Sequence, residues 1–374
     1  MRTRIRVSAA ALTANLEQFF RITGRPVAFV VKANGYGHGI ETCVNIAKRL
    51  DAVGSYAVDA AHEARRVLQQ DDSRPVLVMG WADDDELEYL VGAGVELVVP
   101  ALEYLERVRA VARKLRMVAR CHIKVETGTR RLGMEPAEVR TLLRSAPGPE
   151  VEFCGIYSHF ADIEDTTRHE FAGRQLETFR SLLKDVPEAG RLRRHMACSA
   201  AALLFPATHF DFVRLGISAY GYWPSRETRI SWQEQKGDGM KLCPALTWET
   251  RVAQVKKVSS GETVGYGRSY RAFSDSRIAV IPVGYYDGYD RRLSNSGIIL
   301  IKGVEAPVRG RICMNMMMAD VTHIPDVRAG DRVVLLGEGD NGRIDAGDMA
   351  ERCGTIHYEI LSRIAPHLPR TVDP

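Results

Sequence analysis

No stretch of this chain approaches the roughly 20 consecutive apolar residues that a bilayer-spanning helix needs, so a helical membrane protein is not expected. The opening segment MRTRIRVSAAALTANLEQFF carries basic residues and a short apolar stretch. Thr13, Asn15, Glu17 and Gln18 interrupt that stretch before it reaches the length of a signal-peptide core. The seven cysteines are odd in number, scattered from Cys43 to Cys353, and form no C-x-x-C pair. That pattern argues against a disulfide frame or a zinc site and suits free thiols in a reducing cytoplasm. Excess charge is also lacking: 51 basic against 47 acidic residues leave a net charge of +4. Basic pairs such as Arg65-Arg66 and Arg193-Arg194 read as solvated faces, so no nucleic-acid surface is expected. Internal repeats and low-complexity segments are absent as well.

What is present is a globular composition, 45% hydrophobic and 26% charged over 374 residues, which suffices for two domains with separate cores. Short apolar runs at 27–31, 55–58, 76–79, 97–99, 120–125, 151–157, 192–197 and 212–215 read as strands. Helical patterns at 40–50, 60–69, 84–91, 102–113, 136–144, 166–183 and 199–204 fall between them. Eight strands in a βα rhythm over about 235 residues match a (β/α)8 barrel; a doubly wound open sheet would give a similar rhythm. After the polar stretch 225–241 the pattern turns to glycine-punctuated β runs from Leu246 onward. A closing helix over about 346–364 has Asp345 as its N-cap. The expected organisation is an α/β barrel over 1–238 and a mostly β domain over 239–374.

In a parallel barrel, chemistry sits where strands end and βα loops begin. The first such place holds Val31-Lys32-Ala33-Asn34-Gly35-Tyr36-Gly37-His38-Gly39. A lysine after an apolar strand is expected to point into a poorly hydrated mouth, where desolvation favours the nucleophilic neutral amine. Alone, Lys32 could equally be an ordinary loop lysine. The fifth strand ends in His122-Ile-Lys124-Val-Glu126, followed by Arg130-Arg131-Leu-Gly133, with Lys124 and Glu126 on one face of the alternation. The sixth ends at His159, and His195-Met-Ala-Cys198-Ser199 follows the seventh. After the eighth comes Arg214-Leu-Gly216-Ile217, where the N–H groups of Gly216 and Ile217 with the Ser199 hydroxyl would suit a phosphate. The β-rich part adds Gly265-Tyr266-Gly267, Gly284-Tyr285-Tyr286-Asp287-Gly288, Arg311-Ile-Cys-Met314-Asn315 and His357-Tyr358.

These blocks resemble, in order and over nearly the whole chain, the alanine racemase family, pyridoxal-phosphate (PLP) enzymes of fold type III built as a barrel plus a β domain. The resemblance implies that Lys32 joins the cofactor covalently and that Lys32 and Tyr266 are the two acid/bases on opposite faces of the substrate Cα. It places Tyr36, Ser199, Gly216, Ile217 and Tyr358 at the cofactor phosphate. It places His159 near the pyridine ring and Arg214 at the ring nitrogen, with His195 supporting that arginine. An arginine there cannot accept the ring proton, which restricts delocalisation and suits racemisation over transamination. Arg131 would contact the cofactor oxygen and the substrate carboxylate, oriented by a carbamylated Lys124. The Met314 N–H would hold the carboxylate, Tyr285 would line the entrance, and Arg291 and Arg311 would fit its charged rim. A tyrosine is a poor base near neutral pH unless a cation stabilises its phenolate, and His159 is the expected cation. Cys198 and Asn315 depart from the family's usual asparagine and aspartate.

No metal is implied. The family also implies a homodimer with shared sites and a cytoplasmic supply of D-alanine for peptidoglycan. Alternatives are a serine or broad-specificity racemase, a PLP decarboxylase of similar architecture, a PLP-binding homeostasis protein, and a barrel enzyme without PLP.

Overall fold

Strands of a parallel sheet are covered on both faces and therefore carry near-continuous apolar runs rather than alternation. Among the described residues eight strands of one sheet pair in parallel, most of them apolar runs, while Ala119–Lys124 and Arg193–His195 carry polar residues. The computed structural model describes residues 3–145 and 148–373. It begins with β1 (Arg4–Ser8), and the barrel strands follow: β2 (Val27–Val30), β3 (Val53–Val58), β4 (Val76–Val78), β5 (Glu96–Val99), β6 (Ala119–Lys124), β7 (Val151–Tyr157), β8 (Arg193–His195) and β9 (Val213–Leu215). Neighbours run in sequence order from β2 to β8, and β9 lies on the other side of β2. The N–H groups of Asp211 and Arg214 donate to the carbonyls of Arg194 and Ala197, bringing the last two strands together and nearly closing the ring.

The barrel core follows from the composition of its strands. Val27, Phe29 and Val31 have no exposed surface and Val30 has 5%. Each such side chain contributes about 1.5–3 kcal/mol by leaving water. Helices Ala61–Leu68, Leu102–Leu115 and Pro136–Arg144 lie between strands, the last with proline in its first turn, where a missing N–H costs nothing. The segment expected as a polar stretch contains the helix Arg226–Lys236, capped by the Ser225 hydroxyl on the Thr228 N–H. It buries only Thr228 and Trp232, so its apolar stripe is too thin to mark it in sequence.

Two compact units result. One comprises residues 11–33 and 43–243; the other comprises 1–10, 34–42 and 244–374. The second is mostly β. In its seven-stranded sheet, β1 pairs antiparallel with β10 (Leu246–Arg251) and parallel with the strand Arg370–Asp373. Ile5 and Val7 are fully buried while Arg4 and Arg6 point outward, a period-two pattern that makes this segment a strand. The closing helix expected over 346–364 is two helices, Ala346–Cys353 and His357–Ser362. Gly354, at φ +62°, ends the first in the left-handed conformation glycine adopts freely.

Candidate active site

Parallel pairing of β2 with β9 sets Ala28 beside Arg214 and Phe29 beside Leu215. Lys32 and Gly216 therefore leave the same end of adjacent strands, the end where barrels carry their chemistry. The Lys32 side chain is 39% exposed and its Nζ lies 3.7 Å from Asp59 Oδ1. The amine, expected in a poorly hydrated mouth, is part-buried within this chain and faces a carboxylate.

The residues after Lys32 turn sharply. Ala33, Asn34, Gly35 and Tyr36 all have positive φ, between +49° and +61°. For the three that bear a Cβ this costs about 1–2 kcal/mol each. Glu63 holds the start of the turn: its Oε1 accepts from the Ala33 N–H at 2.7 Å and its Oε2 from Asp59 at 2.9 Å. The Gly39 N–H closes the far side on the Asn34 carbonyl at 2.7 Å. Glu63 and Asp59 escaped the sequence reading; a glutamate three residues into a helix that follows a strand was the available clue. In the β unit, the rings of Tyr36 and Tyr358 lie 6.3 Å apart.

Arg214 is buried, and its Nη atoms are held by the barrel. Nη1 donates to His195 Nδ1 at 2.5 Å, and Nη2 faces the Ser158 carbonyl at 2.9 Å, the Met196 carbonyl and His159 Nδ1. Its guanidinium also sits 4.9 Å from the Tyr157 ring centre. His195 is clamped between Tyr157 (4.6 Å, 4° between planes) and Phe212 (4.3 Å, 25°). The Ser199 hydroxyl accepts from the Gly216 N–H at 3.2 Å, joining the two segments expected at a phosphate, and Ile217 follows directly in a buried 3-10 turn. Cys198 precedes Ser199, and burial pushes its thiol up to about 11.

Lys124 ends β6 with its Nζ 5.6 Å from the Tyr157 ring centre. Burial, then the charges of Arg131 and Arg214, bring its ammonium down to about 8. About a tenth of it is therefore free amine at pH 7, against well under a thousandth for an ordinary lysine. Burial pushes the Glu126 carboxyl up, but the N–H groups of Gly128, Arg130 and Thr129 outweigh it and hold the group below the usual range. Glu126 thus shapes the turn that presents the exposed Arg131. At Gly133 (φ +138°) a Cβ would meet the Glu126 nitrogen at 2.8 Å. His159 differs from expectation. Burial and the charges of Arg214, Arg131, Lys124 and Lys32 hold it well below the usual histidine range, so it is neutral. Its environment in this chain therefore disfavours the cation expected there.

In the β unit Tyr266 is 73% exposed, between Gly265 (φ +75°) and Gly267 (φ +69°). Tyr285 (42%) and Met314 (54%) are exposed on two adjoining loops, with the Tyr285 N–H on the Cys313 carbonyl and the Tyr286 N–H on that of Met314. Gly284 permits this approach, since a Cβ there would lie 2.2 Å from the Cys313 oxygen. Arg291, Arg311 and Asn315 are exposed.

Among the described residues, Glu96, His122 and Cys154 bring one ligand atom each within 4.8 Å, a spacing a metal could use. The chemistry there is different. Arg193 Nη2 and Arg120 Nη2 lie 2.5 and 3.0 Å from Glu96 Oε1, and burial pushes the Cys154 thiol up to about 11. The carboxylate already has two cations and the sulfur keeps its proton.

A family model described as "Alanine racemase, N-terminal domain" matches residues 7–224, and one described as "Alanine racemase, C-terminal domain" matches 245–372. The alanine racemase of Clostridium perfringens is 38% identical over 367 residues, covering 95% of this chain and 91% of that one. The alanine racemase of Leptospira interrogans is 34% identical over 373 residues, covering 98% and 95%. Among solved structures, the alanine racemase of the D-cycloserine producer Streptomyces lavendulae matches with a TM-score of 0.91 at 30% identity, covering 100% of this chain and 97% of that one. A lysine and a glycine-led turn at the ends of adjacent barrel strands, a buried arginine on one of them, and matches spanning both units agree: the chain belongs to the alanine racemase family.

Proposed function

We propose that the protein interconverts L- and D-alanine with pyridoxal phosphate, using Lys32 and Tyr266 as the two bases. The observation that carries this reading is the donor set at the ends of β2, β8 and β9. An amine, a hydroxyl-and-N–H cradle and a buried guanidinium match the aldehyde, phosphate and ring nitrogen of that cofactor. Arg214 uses one Nη1 N–H on His195 and its Nη2 on the barrel carbonyls, and its remaining N–H donors are suited to a ring nitrogen. When bound, the cofactor supplies an electron-withdrawing ring that acidifies the substrate's Cα–H.

The protein's part is binding and proton transfer. Ser199 with Gly216 and Ile217 holds the phosphate, to which Tyr36 and Tyr358 add phenol donors. Arg131 and the Met314 N–H take the substrate carboxylate, and Tyr285 narrows the approach. Lys32 removes or returns the proton on one face of Cα. Tyr266 of the partner subunit serves the other face, and its exposure in this chain suits that reach. His159 acts as a neutral donor: its Nδ1 accepts from Arg214, so its proton sits on Nε2, available to a phenolate oxygen. The free amine of Lys124 is suited to react with CO2. The resulting carbamate replaces a cation beside Arg131 with an anion. Such an enzyme, acting in the cytoplasm, would supply D-alanine for peptidoglycan.

Solvent-deuterium exchange at Cα across a panel of L- and D-amino acids tests the reading. Exchange of both alanine enantiomers is expected. Equal exchange with serine and larger substrates would move the assignment to a broad racemase. No exchange, with no borohydride-trapped adduct on Lys32, would remove the PLP reading.

A further inference from the structure

The buried polar groups that begin at Arg214 do not stop at His195. His195 Nε2 lies 2.9 Å from His122 Nδ1, and His122 Nε2 lies 3.0 Å from Glu96 Oε2. Glu96, His122, His195 and Arg214 come from β5, β6, β8 and β9, and none exposes more than 4% of its surface.

The chemistry of the two ends fixes everything between them. A guanidinium can only donate and a carboxylate can only accept. Arg214 Nη1 therefore makes His195 Nδ1 an acceptor, which puts that ring's proton on Nε2. This N–H donates to His122 Nδ1, which puts the second ring's proton on its own Nε2, facing Glu96. No reversed order satisfies all three contacts, and an additional proton on either ring would set two donors against each other.

We infer that Glu96 and His122 are positioning residues for the racemase. They lock His195 into the neutral Nε2–H tautomer, so that its Nδ1 lone pair holds the Arg214 guanidinium in place. The catalytic consequence rests on the functional reading above; the tautomer order does not.

Two further features fit. Glu96 is held from behind by Arg193 and Arg120, so the anion at the far end is fixed and paired. Arg193 Nη2 also lies 3.3 Å from His122 Nε2, a contact that competes with the Nε2–H···Glu96 bond; the shorter bonds, Arg193 Nη2 to Glu96 Oε1 at 2.5 Å and His122 Nε2 to Glu96 Oε2 at 3.0 Å, both end on the carboxylate. Gly155 stands in register between His122 and Arg193, and a Cβ there would come within 2.1 Å of His122 Nδ1. A residue without a side chain is what lets the two imidazoles meet. The groups facing the rings are Glu96, Arg120, Cys154, Tyr157, Arg193 and Arg214. Burial and the nearby arginines keep both rings below the usual histidine range, while bonds from His122 and Arg193 outweigh burial and keep Glu96 ionised.

The test is nitrogen NMR of the whole enzyme labelled with 15N-histidine, with and without PLP, across the range in which histidine ordinarily titrates. Both rings are expected to show a bare Nδ1 and a protonated Nε2 at every pH. A ring with its proton on Nδ1, or with two protons, overturns the relay without any variant being made. In Glu96→Gln the amide can donate to His122, so at least one ring should reverse or begin to titrate. The bound cofactor's absorbance should shift, and kcat should fall about tenfold with KM little changed. Glu96→Asp should recover part of the loss. Unchanged tautomers and an unchanged kcat–pH profile in Glu96→Gln overturn the positioning role. A wild-type enzyme that orders its rings as described but racemises nothing overturns the functional reading on which that role depends.

Discussion

Among single residues, Lys124 links structure and chemistry most directly. Its ammonium is brought down to about 8 from the ordinary 10.5 by burial and by Arg131 and Arg214. Below about 8 the folded and unfolded chains both carry the charge, and the fold bears the full cost of enclosing it. Between 8 and 10.5 the unfolded chain binds more protons than the folded one, so this contribution to stability rises with pH and is complete above 10.5. In bicarbonate-free buffer, the urea midpoint of the wild type should therefore gain on that of Lys124→Met across this window. An unchanging difference would contradict a buried amine. With 13C-bicarbonate, a carbamate resonance should appear in the wild type and be missing from the variant.

The residues legible in sequence were those whose type is unusual for their place: a lysine and an arginine at strand ends, tyrosines between glycines. Glu96 was not legible. It opens an apolar run, Glu96-Leu97-Val98-Val99, and a strand covered on both faces accepts a carboxylate only if it is paired. Its partners lie 24, 26 and 97 residues away, at Arg120, His122 and Arg193, so nothing local announces them.

At the scale of elements, the turn after Lys32 stores strain that its neighbours hold in place. Gly37 has φ +82°, and a Cβ there would meet the Leu361 carbonyl oxygen at 2.1 Å. Gly37→Ala should cost several kcal/mol, read as a lower Tm. Loss of stability within a few tenths of a kcal/mol would mean the turn relaxes freely. Gly284→Ala should push the Tyr285 turn away from Met314, because the new Cβ would lie 2.4 Å from the Met314 oxygen. A raised KM for alanine with a smaller change in kcat is expected if the Met314 N–H holds the substrate carboxylate as proposed. Phe29→Ala, at a fully buried position in β2, should destabilise by about 3–5 kcal/mol without a change of fold.

Most barrel strands could be read because double-sided burial leaves short apolar runs such as Val27–Val30 and Val76–Val78. The helix Arg226–Lys236 could not, with two buried residues in eleven. The break at Gly354 was visible as a glycine, but its effect depended on a left-handed φ that sequence does not print.

For the whole molecule, the proposed pairing of Lys32 with Tyr266 of the partner subunit makes activity a property of two chains. Lys32→Ala and Tyr266→Phe homodimers should each be nearly inactive. After subunit exchange, mixed dimers should regain up to half of one wild-type site complement, because one of their two sites holds both intact residues. Failure of any activity to return, with exchange verified by mass, would place both bases within one chain.

The pairing of β1 also sets an order of events during synthesis. Its first partner, β10, is made more than 230 residues later, and its second, Arg370–Asp373, more than 360 residues later. At ordinary ribosomal speeds of roughly 5–20 residues per second, β1 waits about 10–50 s for β10. All barrel strands emerge in that interval. The nascent protein thus carries a tethered, half-apolar ribbon while its neighbour assembles, and Arg4 and Arg6 are the charges that discourage the ribbon from pairing with another chain in the polysome.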